Sequence, residues 1–155
     1  MRRAYLSLGS NIGDRGEHLS VGVDLVARDD AYRLSSVYET EPVGGVAQDN
    51  YWNLVIELVT DATPRDLLAR ALEAEGARGR VRDVRWGPRT LDVDVLLVGE
   101  ERSDDPEVLV PHPRMYERAF VLVPLHELAA DLVSRTQLAA GVGALTRLGT
   151  LESLR

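Results

Sequence analysis

The sequence predicts an α+β fold, an α/β sandwich in which helices pack on an antiparallel, ferredoxin-like sheet. Apolar segments with strand spacing and two capped helical segments carry this prediction. Their order is strand, helix, strand, strand, helix, strand, which is the split βαβ arrangement. Hydrophobic residues make up 45% of the 155 residues and charged residues 28%, so we expect one domain over residues 1–155.

The first part of the chain predicts two strands around one helix. Residues 4–8 are apolar enough for a short strand. Asp14 is followed three positions later by Glu17, and this capping-box pattern predicts a helix over residues 15–28. Residues 32–40 predict the second strand.

The segment from residue 51 to residue 60 shows the clearest strand pattern. Its side chains alternate, so one face of the strand is apolar and the other is mixed. The aromatic ring and the amide on the mixed face suit a flat, polar-edged ligand better than an apolar core. The apolar face holds Trp52, Leu54, Ile56 and Leu58, and the mixed face holds Tyr51, Asn53, Val55 and Glu57.

The middle of the chain predicts a second helix, a further strand and two long loops. Thr63 and Pro64 suit the start of a helix, as N-cap and first-turn residue. Residues 91–98 are apolar on both faces, which predicts a central strand. Residues 41–50 and 76–89 form loops longer than a connection needs, so we expect two long mobile catalytic loops that act as lids.

The last third of the chain predicts rigid backbone followed by helix. Residues 111–113 are Pro-His-Pro, which restrains the backbone around the histidine. A helical turn near Met115 leads into the apolar residues 119–123, and a short helix is predicted over residues 124–132. Residues 134–155 are weakly patterned and predict no particular element.

The composition argues against several functional classes. A net charge of −7 argues against general nucleic-acid binding, which requires a basic surface. The absence of cysteine excludes a disulfide framework, a catalytic thiolate and a cysteine-ligated zinc site. No signal peptide or membrane span is predicted, so we expect a cytoplasmic, monomeric protein without nucleic-acid or membrane partners.

The densest chemical signal is the segment from residue 80 to residue 94. Arginines and a tryptophan precede Asp92 and Asp94, which lie two positions apart and therefore share one face of a strand. Two adjacent carboxylates repel each other, and Mg²⁺ would relieve that repulsion through oxygen ligands. Arginine side chains bind phosphate oxygens bidentately. The combination predicts metal-assisted phosphoryl chemistry.

These residues also have a plainer interpretation. Asp92 and Asp94 could be solvated strand carboxylates, but the apolar strand around them indicates burial, where unpaired carboxylates are costly. The arginines could pair with surface acids, since the chain has 25 acidic residues. Proximity to Asp92 favours a functional role most for Arg89 and less for Arg82, whereas Arg85 could be structural.

Five segments occur in a fixed order: residues 5–14 (YLSLGSNIGD), 38–42 (YETEP), 49–53 (DNYWN), 80–94 (RVRDVRWGPRTLDVD) and 111–120 (PHPRMYERAF). Together they resemble the 6-hydroxymethyl-7,8-dihydropterin pyrophosphokinases of folate biosynthesis, over nearly the whole chain. The resemblance implies transfer of pyrophosphate from ATP to the pterin hydroxymethyl group, with release of AMP. It also implies a ferredoxin-like fold and two Mg²⁺ ions.

The resemblance further implies roles for individual residues. Asp92 and Asp94 would hold both metal ions, and Arg80, Arg82 and Arg89 would complete the catalytic group. The loop before Trp86 is shorter than in some relatives, which leaves the contacts of Asp83 and Val84 open. The residues that would contact ATP are Glu75, Arg80, Trp86, Arg89, His112 and Arg118. The residues that would contact the pterin are Thr40, Pro42, Val43, Tyr51, Asn53 and Phe120.

Two other functions are compatible with parts of the sequence. A metal-dependent nucleotidyltransferase could use the same Asp-x-Asp pair, but it would release pyrophosphate instead of AMP. A ferredoxin-like ligand-sensing module would bind without turnover, and it would not need the two aspartates and the arginine-rich loop together.

Overall fold

The structure is a computed structural model that describes residues 1–41, 49–79 and 90–154. In these residues one helix follows the first strand, three consecutive strands precede the second helix, and three short 3₁₀ turns follow the fifth strand. The strands are β1 (Arg2–Ser10), β2 (Ala31–Leu34), β3 (Val37–Thr40), β4 (Tyr51–Thr60), β5 (Asp92–Val98) and β6 (Leu145–Gly149). The helices are α1 (Arg15–Ala27), α2 (Pro64–Ala77), α3 (Ala119–Leu128) and α4 (Arg135–Ala140), and the 3₁₀ turns are Met115–Glu117, Ala130–Leu132 and Glu152–Leu154.

The strands form one antiparallel sheet in the order β5-β1-β4-β3-β6, with β2 also paired to β4. β1 lies between β4 and β5, so that Leu6 pairs with Ile56 on one side and with Val95 on the other. This order, with α1 and α2 as the crossovers, confirms the predicted ferredoxin-like α+β fold.

Helices cover both faces of the sheet. The alternation in β4 sends Leu54 and Ile56 into a core that α1 and α2 complete. Val55 points to the opposite face, where it packs with Leu122 and Leu125 of α3. The predicted two-faced pattern of β4 is therefore confirmed, and it positions α3 on the face that also carries Asn53.

Local capping explains where the two crossover helices begin. Asp14 accepts a hydrogen bond from the backbone N–H of Glu17 at 3.1 Å, at the start of α1. Thr63 accepts one from the N–H of Asp66 at 3.1 Å, and the Asp66 carboxylate accepts one from the N–H of Thr63 at 3.0 Å. Both helix starts agree with the sequence prediction.

The predicted strand over residues 32–40 is wrong as a single element, because it divides into β2 and β3. Ser35 and Ser36 interrupt it, and the Ser35 hydroxyl accepts the hydrogen bond from Val55 N at 2.9 Å that a ladder carbonyl would otherwise take. The same hydroxyl donates to the Ser36 carbonyl at 2.8 Å. Side-chain competition for backbone groups thus breaks the strand.

The predicted central position of β5 is wrong. Among the described residues β5 pairs with β1 alone, so it is an edge strand. Both of its faces are nevertheless covered: Val93 and Val95 lie in the core beneath α1 and α2, and Leu96 lies in the α3 core. The register of the pairing between β5 and β1 shifts at Tyr5 and Leu6, which contributes to the apolar residues on both faces of β5.

Three further boundaries differ from the sequence prediction. α2 continues through Gly76 to Ala77, so the loop that follows it begins later than predicted. Pro124 lies inside α3 instead of starting a new helix. The weakly patterned tail forms α4 and β6, and β6 extends the sheet beyond β3. No helix of residues 1–41, 49–79 or 90–154 combines the length and apolarity needed to cross a membrane.

Candidate active site

A cavity of about 910 Å³ opens where β1 ends and where β4 and β5 begin. A second cavity of about 480 Å³ lies on the α2 side, and the two share Asp92, Asp94 and Arg118. The larger cavity is lined by Ser7, Gly9, Thr40, Glu41, Tyr51, Asn53, Asp92, Asp94, Arg114, Tyr116, Glu117, Arg118, Phe120, Ala140, Val142, Gly143, Ala144 and Leu145.

Asp92 and Asp94 occupy the shared wall between the two cavities. They pair with Gly9 and Ser7 of β1 and are both half-buried, on one face of β5 as predicted. Among the described residues, Asp94 Oδ1 lies 3.9 Å from His112 Nε2 and Asp94 Oδ2 lies 4.0 Å from Arg118 Nη1. The acidic pair is therefore bordered by cationic or hydrogen-donating side chains.

His112 is fixed by its own backbone and ring. Its N–H donates to the Leu96 carbonyl at 2.9 Å, and its Nδ1 accepts from the N–H of Arg114 at 3.2 Å. Because Nδ1 accepts, the neutral ring carries its proton on Nε2, the atom nearest Asp94. Burial, followed by the nearby Arg118 and Arg114 charges, lowers the pKa of His112 below its usual value. His112 is thus a neutral donor near pH 7.

Arg118 connects the acidic wall with the aromatic part of the larger cavity. Its guanidinium carbon lies 5.5 Å from the centroid of the Phe120 ring. The side chain is 25% exposed, so its charge is partly shielded from water while remaining open to the cavity. One cation therefore reaches both the carboxylate of Asp94 and the ring of Phe120.

The opposite part of the cavity is formed by β1, β3 and β4. Asn53 is 4% exposed, and its Nδ2 donates to Thr40 Oγ1 at 2.8 Å. Gly9 lies against this amide: a Cβ at position 9 would stand 2.7 Å from Asn53 Oδ1 and 3.5 Å from Tyr51 Cδ1. With Phe120 across the cavity, this surface offers aromatic faces and an oriented amide.

Glu75, predicted in the nucleotide region, lines the smaller cavity from α2. Its side chain is hydrogen-bonded to β5, because Oε2 accepts a hydrogen bond from the backbone N–H of Val93 at 2.9 Å. Glu75 is 5% exposed, so a buried carboxylate links α2 to the strand position between Asp92 and Asp94.

The structure brings together nine of the residues predicted for the site, and the others lie outside the described ranges. Thr40, Tyr51, Asn53, Asp92, Asp94, Arg118 and Phe120 line the larger cavity, and His112 and Glu75 join three of them in the smaller one. The predicted roles of Pro42, Val43, Arg80, Arg82, Trp86 and Arg89 fall on residues outside the described ranges, as do Asp83, Val84 and Arg85.

Sequence reasoning missed several cavity residues, among them Glu41, Arg114, Tyr116 and Glu117, one pair on β1 and one group in the tail. Ser7 and Gly9 of β1 could have been found, because they lie opposite Asp94 and Asp92 once β1 and β5 are paired. The tail residues from Ala140 to Leu145 gave no signal, since they are small or apolar and follow no strong period.

The donor set fits a hard divalent cation bound together with a phosphate ligand. Within the described ranges no group of three or more histidine, aspartate or glutamate side chains could hold a metal ion. Mg²⁺ commonly takes one or two carboxylates and completes its coordination with water and substrate phosphates. Asp92 and Asp94 place two carboxylates at the junction of the two cavities, where they would be available to such an ion.

Comparison with known proteins identifies related sequences. Residues 5–130 match the family model described as 7,8-dihydro-6-hydroxymethylpterin-pyrophosphokinase (HPPK). A 2-amino-4-hydroxy-6-hydroxymethyldihydropteridine pyrophosphokinase of Bacillus subtilis (strain 168) is 47% identical over 132 residues, covering 83% of this chain and 79% of the relative. Proteins of the same name from Methylorubrum extorquens and Pseudomonas aeruginosa are 46% and 44% identical, covering 86% and 85% of this chain and 86% and 83% of the relatives.

Proposed function

The chain belongs to the 7,8-dihydro-6-hydroxymethylpterin-pyrophosphokinase family, and we propose that it catalyses the family reaction with the residues of this cavity. It transfers pyrophosphate from ATP to the hydroxymethyl group of 6-hydroxymethyl-7,8-dihydropterin in folate biosynthesis. The products are AMP and the pterin diphosphate. The observation that carries the site assignment is the shared wall, where two carboxylates and one arginine border both cavities.

The two cavities suit the two substrates. The larger one has aromatic side chains and the Asn53 amide, which match the flat ring and polar edge of a pterin. The smaller one is bordered by His112, Arg118 and α2, which suits the polyphosphate side of ATP. Bound in this way, the pterin hydroxyl would approach the β-phosphorus at the shared wall.

The transfer forms one bond and breaks another. The hydroxymethyl oxygen bonds to the β-phosphorus and releases its proton to water, while the bond from the β-phosphorus to the oxygen bridging the α-phosphorus breaks. The electron pair of that bond stays on the departing AMP. Arg118 and the neutral Nε2–H of His112 would stabilise the negative charge that develops on the phosphate oxygens.

Asp92 and Asp94 would hold Mg²⁺, and the sequence resemblance implies two ions. When bound, Mg²⁺ would neutralise part of the negative charge of the phosphates. Six further residues belong to the proposal through the sequence alone. Arg80, Arg82 and Arg89 would contact the phosphates, Trp86 would cover the nucleotide, and Pro42 and Val43 would line the pterin edge.

We further propose that residues 1–155 act as a single-domain monomer in the cytoplasm. A net charge of −7 and the absence of cysteine support a reducing compartment and no nucleic-acid partner. Light scattering on the protein as it elutes from a size-exclusion column measures its mass in solution. A dimer at working concentration would contradict the proposed monomeric state.

The test of the proposed reaction is product identity. The protein is incubated with ATP, Mg²⁺ and the reduced pterin, and nucleotides and pterins are separated by chromatography. We expect AMP and pterin diphosphate in equal amounts, formed only when both substrates are present. Released pyrophosphate would indicate a nucleotidyltransferase, and tight pterin binding without turnover would indicate a sensing module.

A further inference from the structure

We propose that the segment Gly141–Gly143, here called the tail clamp, is a positioning segment that holds Arg118 and Phe120 in the cavity. The inference rests on the proposed function of the site. The family match ends at residue 130, so the tail clamp lies beyond it. It nevertheless contributes Val142 and Gly143 to the wall of the larger cavity.

Two backbone hydrogen bonds form the tail clamp. The N–H of Val142 donates to the Glu117 carbonyl at 3.0 Å, and the Val142 carbonyl accepts from the N–H of Ala119 at 3.1 Å. The two bonds bracket Arg118, which forms a parallel bridge with Val142. The Val142 side chain is 76% exposed, so the connection to Arg118 is made by the backbone.

The start of α3 depends on this connection. Arg118 is the N-cap residue and makes no side-chain capping bond, and its own N–H reaches the Met115 carbonyl only at 3.4 Å. The first N–H groups of a helix have no partner within the helix. The Val142 carbonyl satisfies the first of them, on Ala119, immediately before Phe120. The tail clamp thus replaces a capping side chain for the helix turn that carries Phe120.

Glycines on both sides of Val142 permit the close approach. A Cβ at position 141 would stand 3.1 Å from Leu122 Cδ1, 3.2 Å from Ala119 Cα and 3.3 Å from Ala119 N. Gly143 has a φ of 118°, which side-chain-bearing residues rarely adopt. A side chain at position 141 would therefore push the backbone of the tail clamp away from α3.

Both ends of the tail clamp are held by secondary structure. Before it, α4 begins with a capping box between Ser134 and Gln137, and Leu138 packs against the α3 core. After it, Leu145 pairs with Thr40 at the start of β6. The tail therefore runs from the α3 side of the cavity to the β3 side, and the position of Val142 is fixed from both directions.

The first variant removes one clamp bond directly. Val142→Pro eliminates the N–H that donates to Glu117, and Gly141 already has φ −61° and ψ 132°, a conformation that suits a residue before proline. We expect kcat/KM to fall by about tenfold or more, because a displacement of about 1 Å at a reacting group costs up to about 100-fold. Gly141→Ala should act in the same direction through its steric contact with Ala119.

The matched control is Gly16→Ala in α1, where the added Cβ meets its nearest neighbour, Trp52, at an ordinary 3.6 Å. It should keep kcat/KM at the wild-type value. Thermal unfolding of each variant separates loss of positioning from loss of fold. If Val142→Pro does not fold, Gly141→Ala alone decides, because it retains every hydrogen-bonding group.

A double-mutant cycle with Arg118→Ala provides the decisive readout. If the tail clamp acts through Arg118, adding Val142→Pro or Gly141→Ala to Arg118→Ala should lower kcat/KM by a smaller factor than it does in the wild type. An equal fold-loss in both backgrounds, or wild-type kinetics for both tail variants, would overturn the inference. Failure of the proposed function would look different, since the wild-type protein itself would then form no AMP.

Discussion

Glu75 accepts a hydrogen bond from the backbone N–H of Val93, with 2.9 Å between Oε2 and the nitrogen. Val93 lies between Asp92 and Asp94 on β5, which among the described residues is an edge strand whose outward-facing backbone groups have no neighbouring strand. The Glu75 carboxylate provides the partner and fixes β5 against α2 at the point where the two aspartates leave the strand.

We predict that Glu75→Ala lowers the free energy of unfolding by about 1–3 kcal/mol, because the N–H of Val93 would be left buried without an acceptor. Glu75→Gln retains an acceptor oxygen and should lose less. Urea unfolding measures both. The control is Glu73→Ala, two residues earlier in α2, whose side chain is 53% exposed and pairs with Arg28. Equal losses for Glu73→Ala and Glu75→Ala would contradict the role of the strand contact.

We predict that Asp94→Asn lowers turnover by about 100-fold or more, because it would remove one of the two proposed metal ligands from the shared wall. Asp92→Asn should behave similarly. In the wild type, Mg²⁺ with a non-hydrolysable ATP analogue should raise the unfolding temperature through linkage, and in both variants that increase should be smaller. Asp24→Asn, at an exposed position of α1, serves as the control. Near-normal activity of both variants in saturating Mg²⁺ would refute the metal assignment.

We predict that Gly9→Ala weakens pterin binding by about tenfold, or ~1.4 kcal/mol. The new Cβ would stand 2.7 Å from Asn53 Oδ1, so the amide would have to move and its bond to Thr40 would be strained. Binding of the ATP analogue should change little, because Gly9 does not line the smaller cavity. Equilibrium titration of each ligand checks this, and a Gly9→Ala protein that binds pterin as the wild type does would show that Asn53 does not orient the ring.

We predict that the buried carboxylate of Glu57 makes the free energy of unfolding depend on pH in the acidic range. Burial alone would raise the pKa of Glu57, but hydrogen bonds from Arg33 and Tyr5 outweigh it and leave the pKa below its ordinary value of 4.5. The folded state therefore binds this proton less readily than the unfolded state. Its stabilising contribution is complete above about pH 4.5 and is lost as the pH falls through the lowered folded value.

The measurement is the free energy of unfolding as a function of pH, for the wild type and for Glu57→Gln. The wild type should lose stability more steeply below about pH 4.5, since Gln does not titrate. Parallel curves for the two proteins in this range would show that Glu57 binds protons equally in both states.

The parts of the fold that could be predicted are those set by local patterns. The alternation of β4 and the N-cap role of Thr63 depend on neighbouring residues, and both occur as predicted. The prediction of a central position for β5 is wrong because an edge strand with helices on both faces has the same apolar pattern as a central strand. β6 could not be predicted, since its residues are mostly half-buried or exposed and it is held by pairing with β3.

The site divides in the same way. Asp92, Asp94, His112 and Arg118 carry ionisable side chains in recognisable segments, so their meeting at one wall could be anticipated. Val142 is connected to the residues on either side of Arg118 by backbone atoms, and a backbone hydrogen bond does not depend on the identity of the side chain. Such contributions become visible only when the chain path is known.

The position of β1 has a consequence for how the chain folds. Leu6 pairs with Ile56 and with Val95, so both strands that flank β1 are synthesised long after it. Neither pairing of β1 can therefore form as a hairpin between strands that are neighbours in the sequence. Loop-closure entropy must be overcome before these pairings stabilise the structure, which predicts slow refolding for a domain of this size. Leu6→Ala should then slow refolding more than an alanine substitution in a surface turn does.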